Sequence, residues 1–235
     1  MRLFLCGGGS GSQVVEAYRE FNRQLDASKP LLYIPLAMEE DKYDGCSEWF
    51  TAEAKIIGHP SFEMVRSAEK LLEKDFNGFC GIFIGGGNTY DLLNRINSAG
   101  LRNKFETYLS NNGVIFGGSA GAIIFGRDID VCKIEDGNNC RLKNTSGFNC
   151  ANDMSILCHL NKKHFIKNEA HLKSLSYTQK IIYLAEEHVV FINNGEIQTF
   201  GNKDYAILTK GKCYFKKSKN LKKEFINKPI KLGHK

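Results

Sequence analysis

Gly113-Val114-Ile115-Phe116-Gly117-Gly118-Ser119-Ala120-Gly121-Ala122 is the stretch that decides how this chain is read. Val114, Ile115 and Phe116 are β-branched or aromatic, as a buried strand requires. Ala120, Ala122, Ile123 and Ile124 can start a helix. Between them, small residues surround one serine. On a sharp strand-to-helix turn a serine hydroxyl is pushed out beyond the sheet edge. Small neighbours let the turn close and let a substrate approach the backbone. The amides that open a helix have no intrahelical acceptor, so they can hold a developing negative charge. The layout is that of a nucleophile elbow, and it points to hydrolysis through an acyl-enzyme on Ser119. The plainer alternative is a glycine-rich turn that only packs a helix on a sheet.

Outward from this stretch, strands and helices alternate. Arg2–Cys6, Leu31–Pro35 and Gly81–Ile84 read as strands. Gln13–Leu25, Cys46–Ile57, Ala68–Leu72, Tyr90–Ile96 and Leu101–Leu109 have helical spacing, with Trp49, Phe50, Ala54 and Ile57 expected on one face. Such alternation implies parallel βαβ units with helices on both faces of the sheet. Ligands then bind beyond the carboxyl ends of the strands. Gly7-Gly8-Gly9, Gly85-Gly86-Gly87 and Gly117-Gly118-Ser119 all fall at that edge. Residues 126–152 turn polar and loop-like. Beyond Leu175 the chain becomes β-rich, with hairpins expected at Asn193-Asn194-Gly195 and at Lys210-Gly211. These are expected to add antiparallel strands to the parallel core. No internal repeat is visible.

The chain has 235 residues, 42% of them hydrophobic and 25% charged, enough for one α/β domain with an ordinary core. No apolar run reaches the length of a membrane span, and the apolar N-terminal run is too short for a signal peptide's core. A cytoplasmic protein without a membrane partner is the expectation. The eight cysteines include no C-x-x-C pair, which argues against a zinc site and a metal cofactor. Cys6 and Cys80 read as small buried hydrophobes. The net charge of +6 is concentrated in residues 210–235, where ten lysines face one acid, Glu224. That segment has no arginine and few aromatics, so an end strand with a solvated tail is expected, not a nucleic-acid surface.

Gly118-Ser119-Ala120-Gly121-Ala122, with Ile84-Gly85-Gly86-Gly87-Asn88-Thr89 upstream, resembles the peptidase E/cyanophycinase family of serine peptidases. The resemblance implies a three-layer flavodoxin-like α/β fold, related to class I glutamine amidotransferase domains, with a mostly parallel sheet and added antiparallel strands near the C-terminus. It also implies cleavage after aspartate, in dipeptides or in cyanophycin. The length favours a small peptide over the polymer, acted on by a monomer or homodimer without a cofactor.

The resemblance assigns His159, at the end of Ile156-Leu157-Cys158, as general base, with Cys158 in place of the family's usual proline. His164, before Phe165, is the rival. The third catalytic member is expected at Glu186, as a buried acid, with Glu187 one residue off. Glu135 or Asp136 would supply an acid soon after the nucleophile, although Asp136-Gly137-Asn138 reads as a surface turn. The Gly87 and Ala120 amides would form the oxyanion hole, and Asn88 and Lys173 would bind substrate. Lys173 stands where the family carries an arginine for the substrate aspartate, and no arginine follows Arg141. Lys167 and His171 are its substitutes.

Two further readings remain open at this level. One is a non-catalytic or small-ligand-binding relative that keeps the fold. The other is a nucleotide site on Gly7-Gly8-Gly9-Ser10-Gly11, which lacks the Lys-Ser/Thr ending of a P-loop. An amidotransferase is disfavoured, because its nucleophile is cysteine.

Overall fold

The computed structural model describes residues 1–216. In chain order the elements are β1 (Arg2–Cys6), α1 (Val15–Arg23), β2 (Leu31–Ile34), α2 (Tyr43–Ile57), β3 (Phe62–Met64), α3 (Ala68–Glu73), β4 (Gly81–Ile84), α4 (Thr89–Ser98), α5 (Arg102–Ser110), β5 (Val114–Gly118) and α6 (Ala120–Ile123). Then follow β6 (Met154–Leu157), α7 (Lys162–Leu175), β7 (Lys180–Tyr183), β8 (Val189–Asn193), β9 (Glu196–Phe200), β10 (Tyr205–Thr209) and β11 (Lys212–Lys216). The lysine-rich tail from residue 217 onward lies outside the described residues.

The main sheet has the order β3-β2-β4-β5-β1-β8-β9. Its first five strands are parallel, and the β8–β9 hairpin adds antiparallel strands beside β1. Both faces are covered, so β1, β2, β4 and β5 are almost continuously buried. Strand alternation divides the core. Leu3 and Leu5 face one layer, while Phe4 and Cys6 face the layer under α1 and α2.

In that second layer five aromatic residues stand in register on neighbouring strands. Tyr33 pairs with Phe83, Phe83 with Phe116, Phe116 with Phe4, and Phe4 with Phe191. The Phe83–Phe116 rings stack at 5.0 Å and the Phe4–Phe191 rings at 3.9 Å. Each such contact adds about 1 kcal/mol beyond the area it buries. The ladder ties five strands together across the middle of the sheet.

The hairpin at Lys210-Gly211 forms, but it does not join the parallel sheet. It builds a second sheet of order β11-β10-β7-β6. Within it β6 and β7 run parallel, with Leu157 opposite Tyr183. Both strands therefore release their chains at the same end, and His159 and Glu186 follow directly. On α2, Phe50, Ala54 and Ile57 are buried as expected, whereas Trp49 packs at the edge of the same cluster against Phe50, Tyr33 and Phe83 and stays 39% exposed.

Candidate active site

The Ser119 turn is built by exclusion. A Cβ on Gly117 would lie 2.2 Å from the Gly121 carbonyl oxygen, and one on Gly121 would lie 2.4 Å from that of Ile84. Only glycine lets β5, β4 and α6 approach this closely. Ser119 itself takes φ 50° and ψ −114°, a conformation that non-glycine residues rarely adopt. Its amide donates to the Cys6 carbonyl at 3.1 Å, and its carbonyl accepts from the Ala122 and Ile123 amides. Strain held by the surrounding backbone is the mark of a nucleophile elbow.

Ser119 Oγ lies 2.8 Å from His159 Nε2. His159 Nδ1 lies 3.3 Å from Glu186 Oε1. The three side chains come from three chain segments, and the Gly7–Gly9 turn holds two of them. The His159 amide donates to the Gly7 carbonyl at 3.0 Å, and the Gly9 amide donates to the Glu186 carbonyl at 2.7 Å. A Cβ on Gly8 would stand 2.2 Å from His159 Cε1, and one on Gly7 would stand 1.9 Å from the Ala185 carbonyl oxygen. The first glycine run is the seat of the imidazole and of the segment carrying Glu186. Glu186 is not the buried acid expected: its side chain is 53% exposed.

The second glycine turn closes the other side. Gly87 has φ 138°, and a Cβ there would meet the Ala37 carbonyl oxygen at 2.3 Å. A Cβ on Gly86 would reach Ser119 Cβ at 3.1 Å. Among the described residues, the Gly87 and Ala120 amides have no protein acceptor. Two free donors therefore flank the serine, as an oxyanion hole needs.

The remaining sequence-predicted residues lie elsewhere. His164 Nδ1 pairs with Glu135 Oε1 at 2.6 Å and lies 3.1 Å from the Tyr183 hydroxyl. Burial, more than any neighbouring charge, pushes the Glu135 carboxyl above its ordinary range. Asp136 accepts from the Thr89 amide at 2.9 Å, so 136–137 is clamped to the start of α4 and is no free surface turn. Asn88 caps α4 by accepting from the Asp91 amide and donates to the Gly137 carbonyl, which occupies both ends of its side chain. Lys173, Lys167 and His171 all lie on α7, and Lys173 pairs with Glu169 at 2.8 Å. None of the three lines the cavity at Ser119. Glu187 lines a separate cavity on the far side of His159.

The cavity at Ser119 has a volume of about 660 Å³. Glu135, Asp136, His159 and Cys158 border it beside the serine. Cys158 is no rival nucleophile, because burial holds its thiol well above the ordinary range. Burial likewise pushes the Cys6 thiol up to about 12. Sequence reasoning missed Lys42, Gly45, Cys46 and Trp49, which form one wall. Their spacing of three and four residues was the signal available. Among the described residues, no group of histidine, cysteine and carboxylate side chains could hold a metal ion.

The sequence profile of peptidase family S51 matches residues 3–200, which include Ser119, His159 and Glu186. The chain belongs to peptidase family S51. It is therefore a serine-type peptidase, and the resemblance read from its glycine turns holds. A protein from Listeria monocytogenes EGD-e assigned as a peptidase E shares the fold, with a TM-score of 0.66 and 24% identity, over 86% of this chain and 98% of that one. A peptidase from an acI-B1 Actinobacterium gives a TM-score of 0.67 and 20% identity, over 92% of this chain and 94% of that one. Comparison with curated proteins gives no significant match. The S51 match ends at Phe200, before the β10–β11 hairpin. No helix among the described residues is long and apolar enough to cross a membrane.

Proposed function

We propose that this S51 peptidase hydrolyses small peptides through an acyl-enzyme on Ser119. His159 Nε2 takes the hydroxyl proton as Ser119 Oγ attacks the carbonyl carbon. The oxyanion accepts from the Gly87 and Ala120 amides. The C–N bond then breaks, and His159 gives its proton to the leaving amine. Water, deprotonated by His159, releases the acid from the serine. Glu186 orients the ring and stabilises the imidazolium. The observation that carries this reading is the 2.8 Å contact between Ser119 Oγ and His159 Nε2, two residues 40 positions apart.

Aspartyl dipeptides, which the resemblance implies, need a cation beside the acyl side chain. Lys173 is committed to Glu169 on α7. Lys42 lines the cavity, but its ammonium pairs with Glu39 at 2.7 Å. The same reading keeps a monomer or homodimer in the cytoplasm, acting without nucleic acid or membrane.

The test is hydrolysis of Asp-Leu, Asp-Ala, isoaspartyl and neutral dipeptides by the wild type beside Ser119→Ala. At least one class should be cleaved, with a loss of ~10³-fold or more in the variant. Turnover that survives in Ser119→Ala, or no Ser119-dependent turnover of any dipeptide, would contradict the proposal.

A further inference from the structure

The aromatic ladder has two unlike ends. At the β1–β8 end Phe4 is covered by Phe21 of α1, with ring centroids 5.4 Å apart. At the β2–β4–β5 end Tyr33, Phe83 and Phe116 border the cavity that holds Ser119. The facing wall is the first half of α2 and the turn before it, where Lys42, Gly45, Cys46 and Trp49 share one side. The Trp49 ring lies 6.2 Å from Tyr33 and 6.1 Å from Phe83. It is still 39% exposed. An indole that packs on two buried rings yet stays open to a cavity offers apolar surface to whatever enters.

Sheet order fixes which half of a peptide meets this wall. His159 sits on the β1 side of Ser119, since its amide bonds the Gly7 carbonyl and its ring lies against Gly8. The leaving amine takes its proton from His159, so it lies on that side. The acyl half then lies toward β4 and β2, the strands that carry Phe83 and Tyr33.

We infer that the acyl subsite of this peptidase takes an aromatic or large aliphatic side chain, packed on the apolar surface that Trp49 forms with the Tyr33, Phe83 and Phe116 rings. The inference rests on the acyl-enzyme reading above. Lys42 does not turn the subsite toward carboxylates. Its ammonium is exposed and already pairs with Glu39 at 2.7 Å, so an aspartyl carboxylate would have to displace that partner. An apolar side chain displaces only water from apolar walls.

The test is kcat/KM for Phe-Leu, Leu-Leu, Ala-Leu and Asp-Leu with the wild type, Trp49→Ala and Gly45→Leu. A Cβ added at Gly45 meets nothing within 4 Å, so leucine there narrows the cavity without disturbing the fold. The wild type should prefer Phe-Leu and Leu-Leu to Asp-Leu by about tenfold or more. Both variants should lower Phe-Leu turnover about tenfold and leave Ala-Leu nearly unchanged. Labelling of Ser119 by diisopropyl fluorophosphate should proceed at the wild-type rate in both. A preference for Asp-Leu, or variants that leave Phe-Leu turnover unchanged, would overturn the apolar subsite while labelled Ser119 kept the acyl-enzyme reading intact. Absence of wild-type labelling would remove that reading, and the inference with it.

Discussion

Two acid–histidine pairs each place one member, Glu135 or His159, on the wall of the Ser119 cavity, and the tighter pair is not on the serine. His164 and Glu135 meet at 2.6 Å with side chains 21% and 27% exposed. His159 and Glu186 meet at 3.3 Å with side chains 35% and 53% exposed. The first contact is the shorter and the more sheltered of the two. Yet the contacts of the His164 ring are Glu135 and Tyr183, while the His159 ring reaches Ser119. A general base must take a proton and return it within one turnover, and geometry to the nucleophile decides its identity. The His159 pair ends on the nucleophile, and the His164 pair ties the segment carrying Glu135 to α7.

This contrast is easiest to break by exchanging the histidines. His159→Ala should cost ~10³-fold or more in kcat/KM on the best dipeptide, and His164→Ala only a few-fold. Equal losses would erase the distinction. Gly8→Ala comes next. Its Cβ would displace the His159 ring, and φ 124° there already excludes most side chains, so a loss of ~10²-fold in kcat is expected with little change in KM. A variant as active as wild type would show that the glycine run does not seat the imidazole. Exchanging the acids should sharpen the comparison further. Glu186→Gln should cost about 10- to 100-fold in kcat, less than for a buried triad acid, and Glu135→Gln less than about fivefold.

The smallest effect concerns stability and pH. Burial holds the Glu135 carboxyl above its ordinary range, so the folded chain keeps this proton to higher pH than the unfolded chain. Over that window the folded state binds more protons, and stability falls as pH rises. Glu135→Gln cannot ionise. Its Tm relative to wild type should therefore climb as pH rises through the carboxyl range. A relative Tm that drops instead would mean the His164 pair, not burial, governs Glu135.

Much of the catalytic edge was legible because its signals are local. Strand, small-residue turn and helix follow one another within ten residues at Ser119, and glycine runs mark β1 and β4 in the same way. What the sequence withheld is tertiary. The hairpin at Gly211 is readable, but which sheet it joins is not, since turn chemistry is silent about the third strand. α7 escaped notice because only Phe165 and Leu172 of its 14 residues are buried, and lysines interrupt any apolar stripe. β3 has three half-buried residues at a sheet edge, too few for a period to show. Helical spacing places Trp49 beside Phe50, where its ring does pack, but it does not show that the indole also borders the cavity. Lys173 stands at the family arginine's place in the chain, yet it lies on α7 and pairs with Glu169, and the lysine that lines the cavity is Lys42, far upstream.

The most direct test is covalent labelling of the serine. Wild type, His159→Ala and His164→Ala would be treated with a fluorophosphonate, and the modified residue located by peptide mass spectrometry. The account predicts a label on Ser119 in wild type and in His164→Ala, and at most a trace in His159→Ala. A label that persists in His159→Ala, or disappears in His164→Ala, would contradict it.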